Sequence, residues 1–224
     1  MITTEIHGEV GVIALDRHER RNALDVEHCV DLRKAVLDVG PRVRALVITG
    51  RGTSFCAGAD LGGVYGDGFR TALYGALRSV AALPVPVLAA VNGPAIGAGT
   101  QLAIACDLRV AAPSAVFAVP TARNGLVVDP WTVRRLALLA GGGAARAMLL
   151  GGDRLDAGLA FHRGLVDRLG DLDAALEWAA EIAEFAPSSL KYSKQALDTL
   201  FEGAPWDSTL DTAFEESWPR EVSK

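Results

Sequence analysis

Hydrophobic residues in this chain follow two periods, and the switch between them recurs. Residues 2–9 and 10–16 read as two short strands, joined by a turn at His7 and Gly8. Over residues 23–39 the spacing becomes helical and stops at Gly40 and Pro41. Residues 45–50 then read as a buried apolar strand, 69–82 as a helix and 86–91 as a second buried strand. The stretch 50–68 has many glycines and few periodic apolar positions, the composition of a functional loop.

The same unit returns further on: a helix near 99–105, strands over 107–112 and 116–118, and a helix over 130–140. Strand–turn–strand–helix units in series predict an α/β domain built as a stacked spiral, although periodicity alone does not separate a spiral from a doubly wound sheet. From residue 171 the character changes. Residues 172–185, 188–201 and 208–218 are amphipathic helices with no strands between them. They predict a helical module, residues 171–224, appended to a core of residues 1–170 and packed on that core or on neighbouring subunits.

Composition narrows the function. At 224 residues, 50% of them apolar, the chain can bury a substantial core. A net charge of -5 and the absence of a long basic run argue against nucleic-acid binding, while leaving room for a local basic site that holds phosphates. Cys29, Cys56 and Cys106 are odd in number and lack metal-ligand spacing, so they read as small buried hydrophobes in a reducing compartment. His7, His18 and His28 are scattered, and His162 has no paired acid or nucleophile. No metal site and no tightly bound cofactor is expected. Without a signal-like start or an apolar run near the ~20 residues of a membrane span, the expected location is the cytoplasm.

The most informative stretch is 92–107, NGPAIGAGTQLAIACD. Gly97, Ala98 and Gly99 follow an apolar strand and open a helix, so backbone can approach a ligand closely and the first helical N–H groups have no intrahelical acceptor. Such groups attract oxyanions.

Four segments in this order, RHERRNALD (17–25), SFCAGAD (54–60), residues 90–107 and residues 117–136, together resemble the enoyl-CoA hydratase/isomerase, or crotonase, superfamily over roughly the first 170 residues. The resemblance implies a crotonase-like spiral of repeated ββα units with a C-terminal helical module, and an acyl-CoA thioester of fatty-acid metabolism as substrate or ligand. It implies that the thioester carbonyl lies between the backbone N–H groups of Ala59 and Ala98. Losing one donor of such a pair typically costs about 3 kcal/mol of transition-state stabilisation. It places Arg20, Asn22, Ala23, Leu24 and Ala57 along the pantetheine and adenine, with Arg17, Arg21 or Arg51 available for phosphates. Gly62 and Gly63 stand where many hydratases carry lysines.

The catalytic pattern departs from the family's. The two glutamates of a typical hydratase would fall on Gln101 and Thr121, and neither an amide nor a hydroxyl titrates near neutral pH. General acid–base catalysis contributes about 10² to 10⁴ per group, so most hydratase activity should be absent. Gln101 can hydrogen-bond a water or substrate, or satisfy nearby backbone. Asp129 matches an aspartate of dienoyl-CoA isomerase-like members, yet before Pro130 it is equally a helix N-cap. Leu126 and Trp131 are candidates for the acyl pocket, and Asp60 and Asp107 read as loop or helix-end anchors. Relatives commonly continue past the equivalent of Trp218. In them the terminal helices support trimers, so a homo-trimer or dimer of trimers is expected, with Trp206, Phe214 and Trp218 at interfaces. Three functions remain open: an acyl-CoA binder with little or no hydratase activity, an active isomerase or weak hydratase using Asp129, and a structural or regulatory subunit without ligand.

Overall fold

In a computed structural model of the chain, residues 1–60, 67–202 and 212 are described. The expected units are present. The first turn of the chain runs through β1 (Ile2–His7), β2 (Val10–Leu15) and α1 (Val26–Val39), and the second through β3 (Ala45–Gly50) and α2 (Asp67–Ala81). The third comprises β4 (Val87–Val91), β5 (Ala95–Ile96) and α3 (Ala98–Ala105), and the fourth β6 (Leu108–Ala111), β7 (Val116–Ala118) and α4 (Pro130–Ala140). After α5 (Gly142–Arg146) come β8 (Arg154–Asp156), α6 (Ala157–His162), β9 (Arg168–Leu169), α7 (Leu172–Ala183) and α8 (Pro187–Glu202).

Two sheets share the work of each turn. The larger has the order β1-β2-β3-β4-β6-β9, antiparallel at β1/β2 and parallel elsewhere. The smaller has the order β5-β7-β8, and single bridges Leu24 to Ala59 and Cys56 to Ala95 extend it backwards through the preceding turns. From β2 onward each turn therefore places one strand in the large sheet, one short extended piece in the small sheet and then a helix, with β1 added as an antiparallel edge, which is the ββα spiral of the crotonase fold.

Burial on both faces explains why the parallel strands read as unbroken apolar runs. Ile13, Leu46, Ile48 and Ala89 point toward α1, α2 and α3 in one core. The alternate residues Val10, Val47, Leu88 and Val110 form a second core with Ala175, Ala179 and Ile182 of α7. That helix belongs to the segment expected as a helical module, and it covers one face of the main sheet. Gly11 lets β2 lie against α1, since a Cβ there would stand 2.7 Å from Val39 Cγ1.

Several boundaries differ from the periodicity. Helix α1 begins at Val26 because Asp25 accepts a hydrogen bond from His28 N and acts as N-cap, leaving residues 23–25 extended. Strands β5, β8 and β9, of two or three residues each, are too short for a periodic signal. The helix expected over 208–218, its aromatics Trp206, Phe214 and Trp218, and Gly62 and Gly63 lie outside the described residues, of which Thr212 alone falls in that helix. Among the described residues, no helix is long and apolar enough to cross a membrane, and no group of His, Cys, Asp and Glu is arranged to hold a metal.

Candidate functional site

The loop after β3 is fastened residue by residue. Cys56 N donates to Pro94 O at 3.1 Å, Ile96 N to Cys56 O at 2.9 Å, Leu24 N to Gly58 O at 2.8 Å and Asp60 N to Leu24 O at 2.7 Å. Gly58 adopts φ +104, and a Cβ there would stand 2.8 Å from Ile96 O and 3.9 Å from Ala98 N. The loop thus runs alongside the start of α3, where Gly97 has φ 54 and donates its N–H to Ala118 O at 2.8 Å. Gly99 packs against the same loop so closely that a Cβ would lie 2.1 Å from Cys56 O.

Two of the amides that this fastening leaves over face the same space. The N–H groups of Ala59 and Ala98 have no acceptor among the described residues. Both residues line one cavity of about 140 Å³. Its walls include Phe69, Leu73, Ile96, Leu126, Val127 and Val128, with Tyr74, Gln101, Thr121 and Asn124 as the polar side chains. No described lining residue carries a carboxylate, an imidazole or an amine.

Gln101, 3% exposed, donates through Nε2 to Thr132 Oγ1 at 3.0 Å and to Tyr74 Oη at 3.3 Å. Thr132 Oγ1 donates to Asp129 Oδ1 over a short contact, and Asp129 N donates to Tyr74 Oη at 3.2 Å. Asp129 caps α4, its Oδ1 accepting from Thr132 N at 3.2 Å, and it is not among the residues lining the cavity. Burial pushes its carboxyl above the usual carboxylate range, against the pull of the Thr132 hydrogen bonds. Burial likewise raises the Tyr74 phenol.

The remaining sequence candidates divide. Ala57 and Leu126 line the cavity. Trp131 does not: one residue into α4 it faces Arg135, whose guanidinium carbon lies 5.0 Å from its ring centroid. Leu24 is a core residue, and Asn22, 1% exposed, ties neighbouring loops together. Arg17 pairs with Asp25 at 3.3 Å and Asp60 at 3.0 Å, and Arg51 with Glu5 at 2.9 Å, while Arg20 and Arg21 are exposed. Asp60 and Asp107 are anchors, the latter accepting from Val87 N and Lys194 Nζ, each at 2.7 Å. All three cysteines are buried and unpaired. His162 is exposed at the end of α6. Tyr74, Asn124 and Thr132 were missed by the sequence reading, because no motif marks them and only helix packing brings them to Gln101 or the cavity.

Comparison with known proteins shows the family and the fold. Residues 5–213 match the family model described as enoyl-CoA hydratase/isomerase. A probable enoyl-CoA hydratase of Mycobacterium tuberculosis is 46% identical over 209 residues, 92% of this chain and 82% of that protein. A putative enoyl-CoA hydratase of Thermus thermophilus is 36% identical over 230 residues, 96% of this chain and 90% of the relative. Among solved structures, an enoyl-CoA hydratase/isomerase family protein of Hyphomonas neptunium superposes with a TM-score of 0.83 at 32% identity, covering 96% of this chain and 88% of its own. An enoyl-CoA hydratase of Bacillus anthracis gives 0.83 at 29% identity, covering 96% and 86%. The chain belongs to the enoyl-CoA hydratase/isomerase family, whose members act on acyl-CoA thioesters.

Proposed function

We propose that this protein binds acyl-CoA thioesters with little or no hydratase activity. The observation that carries the reading is the pairing of two acceptor-free amides, Ala59 and Ala98, on one cavity whose described lining lacks a carboxylate, an imidazole or an amine. Two fixed donors, one on the loop after β3 and one at the start of α3, suit a thioester carbonyl oxygen and a charge developing on it. Hydration needs a group that exchanges protons near neutral pH, and Gln101 and Thr121 at the family's two acid/base positions are an amide and a hydroxyl. CoA would pass Ala23 and Ala57, with exposed Arg20 and Arg21 meeting phosphates, since Arg17 and Arg51 already face carboxylates. Exposed Tyr192, Leu197 and Leu200 on α8 suit the trimeric assembly expected of residues 171–224.

Calorimetric titration with butyryl-CoA and a long-chain acyl-CoA, beside a crotonyl-CoA hydration assay, tests this reading. Saturable thioester binding without turnover is expected. Absence of binding defeats the proposal and leaves a subunit without ligand. Turnover of enoyl-CoA substrates that Asp129→Asn abolishes would defeat it in favour of an isomerase or hydratase using Asp129.

A further inference from the structure

Helix α8 is fastened to the core by charge more than by apolar packing. Among the described residues, Lys194 is the one member of its sixteen that is buried. Lys194 Nζ donates to Asp107 Oδ2 at 2.7 Å and to Val85 O at 3.2 Å, Arg135 Nη1 to Asp198 Oδ1 at 3.2 Å, and Arg134 Nη1 to Phe201 O at 3.0 Å. Beside the helix an apolar cavity of about 430 Å³ remains, walled by Trp178, Ile182, Phe185 and Leu197, while Tyr192 and Leu200 are exposed. An element held in this way opens locally at a free energy well below that of global unfolding.

Arg135 joins this helix to the acyl site. It sits on α4, 3% exposed, and its Nε donates to Ile104 O while Nη2 reaches Cys106 O at 3.5 Å, both at the C-terminal end of α3. The same guanidinium holds Asp198 and lies 4.1 Å from the Phe201 ring centroid, so one planar group spans α3 and α8. Helix α3 has eight residues, about 12 Å of length, and the first carries the Ala98 amide. A rod that short passes a shift of its end on to its start. Undocking of α8 removes Asp198 and Lys194 together. Arg135 and Asp107 then each lose a partner in the interior, where an unmatched charge is costly, and they already feel each other's charge across the same cavity. Re-pairing with Asp107 takes the guanidinium away from Ile104 O. Arg109, the other cation there, stays engaged with Asp167 at 3.1 Å and with Leu165 O at 2.6 Å.

Resting on the thioester-binding reading above, we infer that Arg135 is a positioning residue that couples docking of α8 to the grip of the Ala98 amide on the thioester carbonyl. A contact that presses α8 onto the core strengthens thioester binding, and by linkage a bound thioester strengthens the docking of α8.

The test compares butyryl-CoA with S-butyl-CoA, a thioether with the same chain and no carbonyl oxygen, by calorimetry, with melting curves confirming that each variant is folded. The ratio of their dissociation constants reads the amides alone, whereas a merely structural loss lowers both affinities together. Asp198→Asn and Lys194→Met loosen α8, and each should reduce the wild-type preference for butyryl-CoA about fivefold, the lower end of usual coupling between sites. Arg135→Met should reduce it as much, and adding Asp198→Asn to that variant should change the ratio by less than about twofold. Arg135→Lys keeps a cation for Asp198 without the fork that also spans Ile104 O, so the preference should fall while α8 stays docked. In the reciprocal measurement, saturating butyryl-CoA should slow deuterium exchange of the α8 amides about fivefold in the wild type and leave it unchanged in Arg135→Met. Should Arg135→Met fail to fold, Arg135→Lys takes its place in both comparisons. A preference that Asp198→Asn and Lys194→Met leave intact, or α8 exchange indifferent to butyryl-CoA in the wild type, overturns this inference while thioester binding itself stands. Failure of the wild type to bind butyryl-CoA, or to prefer it to S-butyl-CoA, refutes the functional reading instead.

Discussion

Asn22→Ala separates a loop clamp from a ligand contact. Asn22 Nδ2 donates to Arg51 O at 2.9 Å and to Ser54 O at 2.8 Å, while Oδ1 accepts from Arg17 N at 2.9 Å. Its backbone sits at φ 57, a region asparagine tolerates and alanine resists. In the alanine variant, buried Ser54 O keeps only the longer bond from Asn92 Nδ2 at 3.5 Å, which costs about 1–3 kcal/mol. Arg17 N and Arg51 O are partly buried, so water recovers much of their loss and they add about 1 kcal/mol together. The left-handed backbone adds about 1 kcal/mol more. The expected loss is about 3–5 kcal/mol, a large share of the roughly 5–15 kcal/mol that holds a domain folded. Thermal or urea unfolding should register it as a fall of roughly 6–20 °C in Tm for a domain of this size. Asn22→Gly removes the same three hydrogen bonds without the backbone cost, and should recover about 1 kcal/mol of the loss. If Asn22→Ala instead melts within about 2 °C of the wild type and loses thioester affinity, the side chain contacts ligand and the clamp argument is wrong.

Three further outcomes follow from the same geometry. Asp129→Asn keeps an Oδ1 acceptor for Thr132 and removes a buried charge, so its stability at neutral pH should equal or exceed the wild type's, whereas Asp129→Ala should lose about 1 kcal/mol with the cap. Because the folded-state pKa of Asp129 is raised, the native state holds that proton more tightly than the unfolded chain does. Wild-type stability from this group therefore declines as pH climbs from the ordinary aspartate range through the raised value; an identical pH slope in Asp129→Asn would contradict it. Gly99→Ala drives a Cβ to 2.1 Å from Cys56 O and should abolish folding or displace the Ala59 loop with at least a tenfold loss of thioester affinity. Gly142→Ala, which meets open space, is the control expected to change neither. Burial pushes the Cys29, Cys56 and Cys106 thiols up to about 12, so a thiol reagent should label them only after unfolding; rapid labelling of the native protein would show a loop that opens.

Much of this molecule is legible in one dimension because its signals are local. The recurring switch between short apolar runs and helical spacing marks the turns of the spiral, and a run such as 45–50 announces a strand buried on both faces. The glycines at 58, 97 and 99 reveal where backbone must turn left-handed or touch backbone, and so where amides are left without acceptors. The amide of Gln101 and the hydroxyl of Thr121, at the positions where the resemblance implies glutamates, are read without any coordinates. Asp25 and Asp129 are harder, since an aspartate before a helix reads equally as cap or as acid until its hydrogen bonds are seen.

What the chain alone leaves open is which side chains end in the same place. Leu126 and Trp131 lie close in sequence, yet Leu126 lines the cavity and Trp131 lies against Arg135, because residues around a helix start point in directions that only its packing settles. Tyr74, Gln101 and Thr132 come from three different helices, and their hydrogen bonds depend on how α2, α3 and α4 pack against one another. The sequence determined the spiral and the turns that leave the Ala59 and Ala98 amides without acceptors. The tertiary structure decided that Asp129 caps a helix and that Gln101 hydrogen-bonds Tyr74 and Thr132, because periodicity and turn chemistry act over a few residues whereas hydrogen-bond partners are chosen across the fold.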